Sequence, residues 1–311
     1  MKLFLSAETD PRVNMGLEHF FLMEWEGEGC LVYRNSPSVL IGKNQNPYRE
    51  VNIPICKREG ISIFRRISGG GAVYHDFGNI NTAFFGKRGS TCCDNYRRWC
   101  EPMVIFLRDL GLDARMGEVN AVDVAGKKVS GFAQCLKGQR FLCHATLLFR
   151  SDLALLNRSL EAPDFIVEAQ GISSRRSTVA NVSQFLSRPE STESFQQKWV
   201  EFLTCYLRCE RTSTLPEEAA LSTELFVESH VDLWDWNVGR SPLFTIALPG
   251  VNGSGTLRLA VYRGRIESAK WEKGQPAQSE SISSLVGRPF RADSLPPVPG
   301  LNRSVWEKLL I

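Results

Sequence analysis

The most informative stretch of this 311-residue chain is Arg65-Arg66-Ile67-Ser68-Gly69-Gly70-Gly71-Ala72-Val73-Tyr74-His75-Asp76. Three consecutive glycines lose much conformational entropy on folding, so something must require them. Glycine allows a ligand to approach the backbone closely, and its N–H groups can then point at an anion. The two arginines before the glycines could neutralise a phosphate or a carboxylate. The stretch therefore predicts a ligand-binding loop.

Two familiar phosphate-binding loops do not fit this stretch. No Gly-Lys-Ser/Thr follows the glycines, so it is not a Walker loop. A strand and not a helix is predicted after them, so it is not a dinucleotide fingerprint. The glycines alone leave open a flexible turn between two strands, but the neighbouring Arg66, Ser68 and His75 favour a ligand site.

A second informative segment is Gly126-Lys127-Lys128-Val129-Ser130-Gly131. The turn at Ala125-Gly126, followed by alternating residues, predicts a hairpin. On a strand, Lys128 and Ser130 share one face, opposite Lys127 and Val129. If that face borders the ligand, Lys128 can stabilise negative charge that develops on an acyl carbonyl. The alternative is a solvated hairpin lysine, which is the usual state of a single lysine.

Working outward from these segments, the pattern predicts an α+β protein of one large domain, residues 1–212, and a smaller one, residues 213–311. The linker is placed at residues 210–216, where Thr, Ser and Pro cluster. Strands are predicted at residues 31–33 and 38–42 as a hairpin, 61–65, 72–85 as a pair, 121–149, 244–248, 255–262 and 265–271. Helices are predicted at residues 14–25, 94–110, 152–160, 192–209 and 281–286.

Composition excludes several classes of protein. The formal net charge is only +3 and basic residues occur in short pairs, so nucleic acid is not an expected partner. No stretch approaches the ~20 apolar residues of a membrane span. The nine cysteines are scattered, with Cys92-Cys93 adjacent and no CxxC, as in a reduced intracellular protein. A cytoplasmic location is expected, and a mature mitochondrial form stays open.

Several segments together resemble the lipoate-protein ligase A family and the related mitochondrial lipoyltransferases. The resemblance implies a mixed-sheet catalytic domain of the biotin/lipoate protein ligase type, with a small α+β C-terminal accessory domain. It implies that ATP, expected with Mg²⁺, activates lipoate to an acyl adenylate, and that an acceptor lysine then attacks it. The segments that carry the resemblance are residues 35–47, 65–76, 78–81, 126–131, 144–148 and 236–244.

The resemblance also implies roles for particular residues and partners. Lys128 is the expected catalytic residue, bridging the acyl carbonyl and the phosphate, and no residue is assigned as a metal ligand. The acceptors would be lipoyl domains, in the E2 subunits of 2-oxoacid dehydrogenases or in the glycine-cleavage H protein. The expected substrate- and nucleotide-binding residues are Arg66, Ser68, Gly69, Gly70, Gly71, Ala72, Val73, Tyr74, His75, Asn120, Lys128 and Ser130.

Two departures from the family pattern keep alternatives open. Where the ligases usually have Gly-Arg-Asn-Asp, this chain reads Gly117-Glu118-Val119-Asn120, which replaces a charged oxygen ligand by a neutral one. This favours a lipoyl- or octanoyltransferase that takes an already activated acyl group. The Cys143-His144 pair suggests the alternative of a cysteine nucleophile. Adjacent strand residues point to opposite faces, however, so the pair is poorly placed to react together. A non-catalytic binding protein, or a biotin ligase on fold alone, are further alternatives.

Overall fold

The computed structural model describes residues 1–88, 96–161, 166–251, 255–272, 279–291, 293–296, 298 and 300–301. Cys92 and Cys93, and the first two residues of the helix predicted at 94–110, lie outside the described residues. No helix in the described part of the chain is both long enough and apolar enough to cross a bilayer. Elements are numbered below in chain order.

An eight-stranded mixed sheet forms the centre of the molecule, in the order β12-β1-β2-β6-β10-β9-β8-β7. Strand β1 runs parallel to both of its neighbours, and the remaining pairs are antiparallel. The mixed sheet confirms the predicted α+β class. Its strands are β1 (Lys2–Leu5), β2 (Gly29–Tyr33), β6 (Asn79–Lys87), β7 (Ala114–Met116), β8 (Ala121–Val124), β9 (Lys127–Lys137), β10 (Arg140–Leu148) and β12 (Glu210–Thr212).

Helices cover both faces of this sheet, as the side-chain alternation along strand β6 shows. Phe84 packs with Trp99 and Phe106 on one face, whereas Phe85 stacks on Phe21 on the other. Successive strand residues point to opposite faces, so one strand serves two apolar cores. The helices are α1 (Pro11–Met23), α2 (Pro47–Glu50), α3 (Ile53–Arg58), α4 (Tyr96–Asp109), α5 (Leu153–Leu160), α6 (Thr192–Tyr206) and α7 (Glu217–Phe226).

A small three-stranded sheet carries the glycine-rich stretch. Strands β4 (Ser62–Arg65) and β5 (Val73–His75) both pair with β3 (Ser38–Ile41), in parallel and antiparallel orientation respectively. The chain between β4 and β5 therefore crosses over the end of β3. This crossing places Gly69 and Gly70 against Gly42, the residue that follows β3.

The second, C-terminal sheet is antiparallel, in the order β11-β13-β14-β15. Strand β11 precedes residue 212 but pairs with β13, so this sheet includes a strand from the first 212 residues. The domain boundary near residue 212 stays a prediction. The strands are β11 (Ile166–Ala169), β13 (Phe244–Pro249), β14 (Thr256–Tyr262) and β15 (Arg265–Glu272).

Most predicted elements are present, but two predicted strand pairings are wrong. The hairpin at residues 31–42 does not exist, because β2 lies in the large sheet and β3 in the small one. The pair predicted at residues 72–85 is likewise divided between β5 and β6. Turn residues indicate where a strand ends but not which sheet the next strand joins, and β2 and β3 are both buried along their whole length. The helix predicted at 281–286 is a 3-10 helix at Ser279–Leu285.

Candidate active site

The glycine loop, residues 65–76, needs its glycines for close packing and for backbone conformation. A Cβ atom on Gly42 would overlap the carbonyl oxygen of Gly70. Gly70 itself has a φ of 92°, a left-handed conformation that L-residues rarely adopt. The glycine loop is therefore a shaped turn, as the sequence predicts.

Arg66 holds the glycine loop from beneath. Its Nε donates to Ser68 Oγ at 2.9 Å, and its Nη2 donates at 2.7 Å to the carbonyl oxygens of both Gly69 and Gly71. Its Nη1 donates to the carbonyl oxygen of Leu40 at 2.8 Å. Burial lowers the pKa of Arg66 to about 10, so the side chain stays charged at neutral pH. This buried cation fixes the direction of the loop carbonyls.

Arg65 lies away from the loop surface and does not supply charge to a ligand. It is fully buried, and its guanidinium donates to backbone oxygens of Gly42, Gln45, Trp236 and Asn237. The indole of Trp236 donates in return to the Arg65 carbonyl oxygen at 2.6 Å. The expectation that both arginines neutralise a ligand is therefore wrong for Arg65. It joins the glycine loop to the segment that precedes the C-terminal sheet.

Ser68, His144 and Glu18 form a hydrogen-bonded row. His144 Nε2 lies 2.6 Å from Ser68 Oγ, and its Nδ1 lies 2.9 Å from Glu18 Oε2. Because a carboxylate only accepts, Nδ1 carries a proton towards Glu18, and in the neutral ring Nε2 accepts from Ser68. The order resembles a serine nucleophile with its base, but Ser68 is buried and borders neither of the cavities described next. The row therefore orients His144.

Two cavities meet beside the glycine loop. The histidine cavity, of about 690 Å³, is bordered by His75, His144, Glu18 and Tyr33. The α5 cavity, of about 720 Å³, runs along helix α5. Both volumes suit a small-molecule ligand, for which about 300 to 1,000 Å³ is usual. The residues that border both cavities are Ala72, Val73, Lys128, Gly131, Thr146 and residues 173–177.

Lys128 is half-buried at the junction of the two cavities. Its backbone N–H donates to the Thr178 carbonyl oxygen, and its carbonyl oxygen accepts from the Ala180 N–H, each at 3.0 Å. A Cβ atom on Gly131 would lie 3.2 Å from the ammonium, so glycine there makes room for it. Burial lowers the pKa of Lys128, and the carboxylate of Asp123 partly opposes this shift. The backbone of Lys128 is thus fixed, and its side chain borders both cavities.

The other residues predicted from the lysine segment lie close by. Ser130 borders the α5 cavity, and its buried hydroxyl has no partner in the described part of the chain. Asn120 borders the histidine cavity and has a φ of 45°. Asp123 and Glu118 border the same cavity, so carboxylates do lie near Lys128 although position 120 is neutral.

Residues 170–179, which we call the 170–179 segment, form the opposite side of the cavities without regular structure. Ser174 ties this segment to the glycine loop, because its hydroxyl accepts from the Ala72 N–H at 3.0 Å. The same hydroxyl accepts from Gln45 Nε2 at 3.0 Å, and the Ser174 N–H donates to Glu50. Arg175 and Arg176 are exposed and border both cavities.

The structure brings most of the predicted site residues to these cavities. Ser68 and Gly69 are the exceptions among them, because they border neither cavity. Glu18 and Tyr33 were not predicted from the sequence. The signal for Glu18 was a carboxylate within the apolar pattern of helix α1. The alternative of a cysteine nucleophile is excluded, because Cys143 is buried in the core on the opposite face from His144, where burial raises its pKa.

Comparisons with known proteins identify the family to which the chain is similar. A family model described as the lipoyl protein ligase A/B catalytic domain matches residues 10–204. The lipoate-protein ligase LplJ of Bacillus subtilis is 36% identical over 314 residues, covering 96% of this chain and 94% of the relative. Lipoate-protein ligase 1 of Staphylococcus aureus is 34% identical over 266 residues, covering 84% and 81%.

Solved structures give the same result. Protein Ta0514 of T. acidophilum with bound lipoic acid superposes with a TM-score of 0.66 at 25% identity, covering 76% of this chain and 98% of that one. A bipartite lipoate protein ligase from Thermoplasma acidophilum, solved with its E2 lipoyl domain, gives 0.65 at 26%, covering 76% and 94%. A lipoate-protein ligase A bound with ATP gives 0.65 at 25%, covering 76% and 97%.

Proposed function

The chain belongs to the lipoyl protein ligase A/B catalytic-domain family, and from that membership we propose how its two cavities carry out lipoate ligation. It is an enzyme that acts as a lipoate-protein ligase and binds ATP and lipoate. The observation that carries the proposed mechanism is the position of Lys128, which borders both cavities. A cation at that junction can act on two ligands where they react.

The histidine cavity suits the lipoyl chain. Leu40, Phe132 and Ala133 give part of its border an apolar character, and Tyr33 and His144 border the same space. The α5 cavity suits the nucleotide, because Ala72, Val73 and Tyr74 of the glycine loop border it together with Arg175 and Arg176, which can pair with phosphate oxygens. With this arrangement the lipoate carboxylate and the α-phosphate of ATP meet next to Lys128.

The reaction then has two steps at Lys128. The lipoate carboxylate oxygen attacks the α-phosphorus of ATP, pyrophosphate leaves, and lipoyl-AMP is formed. The amine of an acceptor lysine next attacks the acyl carbonyl, AMP leaves, and the amide loses a proton. A fixed ammonium stabilises the negative charge on the phosphate in the first step and on the carbonyl oxygen in the second. We therefore assign the catalytic role to Lys128.

The remaining charged residues suit the phosphates and Mg²⁺. Among the described residues, no group of three or more His, Cys, Asp or Glu could hold a metal ion by itself. Mg²⁺ usually needs only one or two carboxylates together with substrate phosphates, and Asp123 beside Lys128 fits that need. Mg²⁺ bound in this way would neutralise phosphate charge. Arg175 and Arg176 would contact the same phosphates from the 170–179 segment.

We propose that the acceptor is a lipoyl domain, in the E2 subunit of a 2-oxoacid dehydrogenase or in the glycine-cleavage H protein. The E2 lipoyl domain solved with the Thermoplasma acidophilum ligase supports the first of these. The test incubates the enzyme with an apo lipoyl domain of each kind, ATP, Mg²⁺ and either lipoate or octanoate, and measures the acceptor by mass spectrometry.

ATP omission separates the ligase from the transferase alternative. The ligase adds the lipoyl mass only when ATP is present, and it releases pyrophosphate in proportion to product. Transfer from a pre-activated acyl donor, without any pyrophosphate release from ATP and free lipoate, would contradict the proposed first step. The proposed use of Asp123 is tested in the same assay, because Asp123→Asn should raise the Mg²⁺ concentration needed for half-maximal rate, with Asp113→Asn as an exposed control.

A further inference from the structure

A buried row of neutral hydrogen bonds runs through the protein to His75. Ser6 Oγ donates to Asn14 Oδ1 at 3.0 Å, and Asn14 Nδ2 donates to Asn35 Oδ1 at 2.9 Å. Asn35 Nδ2 then lies 3.0 Å from His75 Nδ1. All four side chains are buried, and Asn14 and Asn35 have no exposed surface.

Backbone carbonyls set the direction of this row. Asn14 Nδ2 also donates to the carbonyl oxygens of Glu8 and Arg34, at 2.9 Å and 3.3 Å. Because carbonyl oxygens only accept, the amide of Asn14 has one possible orientation. Asn35 must therefore accept at Oδ1 and donate from Nδ2. His75 Nδ1 is then an acceptor without a proton, and the neutral ring carries its proton on Nε2.

The ring of His75 is neutral and has one hydrogen-bonding partner, Asn35, among the described residues. Burial lowers its pKa to about 3, and the neighbouring Arg66 and His144 add to this shift. Nε2 has no acceptor in the described part of the chain, although the residue borders the histidine cavity. A buried N–H without an acceptor is unfavourable, so an acceptor on a bound ligand would stabilise this site.

We propose that Asn35 is a positioning residue, which holds His75 as the Nε2–H tautomer so that the ring donates to an oxygen of the bound acyl group. The identification of the ligand as an acyl group rests on the proposed function. In this tautomer His75 is a hydrogen-bond donor and not the base that takes a proton from the acceptor lysine. His144 on the same cavity has the opposite arrangement, with its proton on Nδ1 facing Glu18.

The tautomer can be read directly by long-range ¹H–¹⁵N NMR of ¹⁵N-histidine-labelled protein. The chain has only four histidines, and a His75→Gln variant identifies the signals of His75. We expect a protonated Nε2 and an unprotonated Nδ1 at neutral pH, without any ligand. A protonated Nδ1, or an imidazolium, in the unaltered protein would overturn the proposal. The tautomer itself is read in the unaltered protein, and the variant serves only to assign the signals.

An Asn35→Asp variant tests the consequence for the reaction. A carboxylate only accepts, so it requires the proton on Nδ1 and removes it from Nε2 in the neutral ring. At pH 8 we expect a roughly tenfold to hundredfold lower lipoylation rate. At lower pH the ring of this variant becomes an imidazolium, which again carries a proton on Nε2, so the deficit should shrink. Arg66 and His144 face this ring in both proteins, so they lower its pKa equally in each.

The matched control is Asn52→Asp, which adds the same charge at the start of helix α3, where Asp caps as well as Asn. A control rate within about twofold of the unaltered enzyme is expected. A deficit of Asn35→Asp that is equal at all pH values would show a purely structural role. If the unaltered protein fails to lipoylate any acceptor, the proposed function fails, whereas the NMR result still decides the tautomer.

Discussion

The two sides of the Lys128 junction are built in opposite ways. The glycine loop rests on buried polar side chains, since Arg66 binds four of its neighbours and Arg65 fastens its base to the Trp236 segment. The 170–179 segment has mostly exposed side chains, and Ser174 is its tie to the glycine loop. Both sides nevertheless border the same two cavities.

The difference indicates a division of labour. Buried and fully hydrogen-bonded groups hold ligand-facing backbone in place before the ligand arrives. Exposed segments with few buried contacts open locally at low free-energy cost. We therefore expect the glycine loop to position the reacting groups and the 170–179 segment to admit them. Lys128 belongs to both sides, because its side chain faces the cavities while its backbone pairs with residues 178–180.

Removing the shared cation is expected to have the largest effect. Lys128→Ala should lower the rate of lipoylation by roughly 10²- to 10³-fold, the usual cost of losing one group that stabilises developing charge. The measurement is acceptor mass against time. Lys127→Ala is the control, because Lys127 is the exposed neighbour on the other face of β9. Undiminished lipoylation by Lys128→Ala would refute the catalytic assignment.

Lowering the pH should reduce the free energy of unfolding through His75, which belongs to the glycine loop. The pKa of His75 is lowered from 6.5 to about 3 by burial, so the unfolded chain binds more protons than the folded one between these values. Stability therefore falls as pH decreases through this window. At pH 4.5, two units below the unfolded value, the loss is about 2 to 3 kcal/mol.

Denaturant unfolding at pH 7 and pH 4.5 measures this loss. A His75→Gln variant should lose less stability between the two pH values than the unaltered protein, by about that amount. Comparing the two proteins cancels the contribution to the stability loss of the carboxylates that titrate over the same pH range. Equal losses in both proteins would show that His75 is not buried in its neutral form.

Within the glycine loop, two neighbouring glycines should respond differently to alanine. Gly70 has a φ of 92°, and a Cβ there would lie 3.0 Å from Arg66 Nη2. Gly70→Ala should cost about 1 to 2 kcal/mol of unfolding free energy. Gly69→Ala should change it by less than about 0.5 kcal/mol, because a Cβ at Gly69 meets open space. Similar costs at both positions would contradict the loop geometry described here.

The sequence predicted the parts of this site that depend on local chemistry. The triple glycine, the Ala125-Gly126 turn and the face of Lys128 are local signals, and the structure has the turn with φ of 49° and 75° at these two residues. The strand pairings of β2 and β3 were wrong, because a Ser-Pro turn does not tell which sheet each strand joins.

The buried support of the site could not be predicted, since its members are far apart in the chain. Asn14 and His75 are separated by 61 positions, and their connection through Asn35 exists only once helix α1 lies beside the small sheet. From the sequence, Arg65 was predicted to neutralise a ligand because it is adjacent to Arg66. Its carbonyl partners at Trp236 and Asn237 come from residues over 170 positions later.

The 170–179 segment should give the smallest effect when its link to the glycine loop is cut. Ser174→Ala removes one hydroxyl that accepts from the Ala72 N–H and from Gln45. We expect a loss of about 1 kcal/mol of ATP-binding free energy, seen as a roughly fivefold higher KM for ATP with little change in kcat. The reason is that we expect the segment to contact ligands and not to take part in the reaction. Ser187→Ala is the control, since Ser187 is exposed and borders neither cavity. A large fall in kcat for Ser174→Ala would mean that this side of the junction also positions the reacting groups, and the contrast between the two sides would then be wrong.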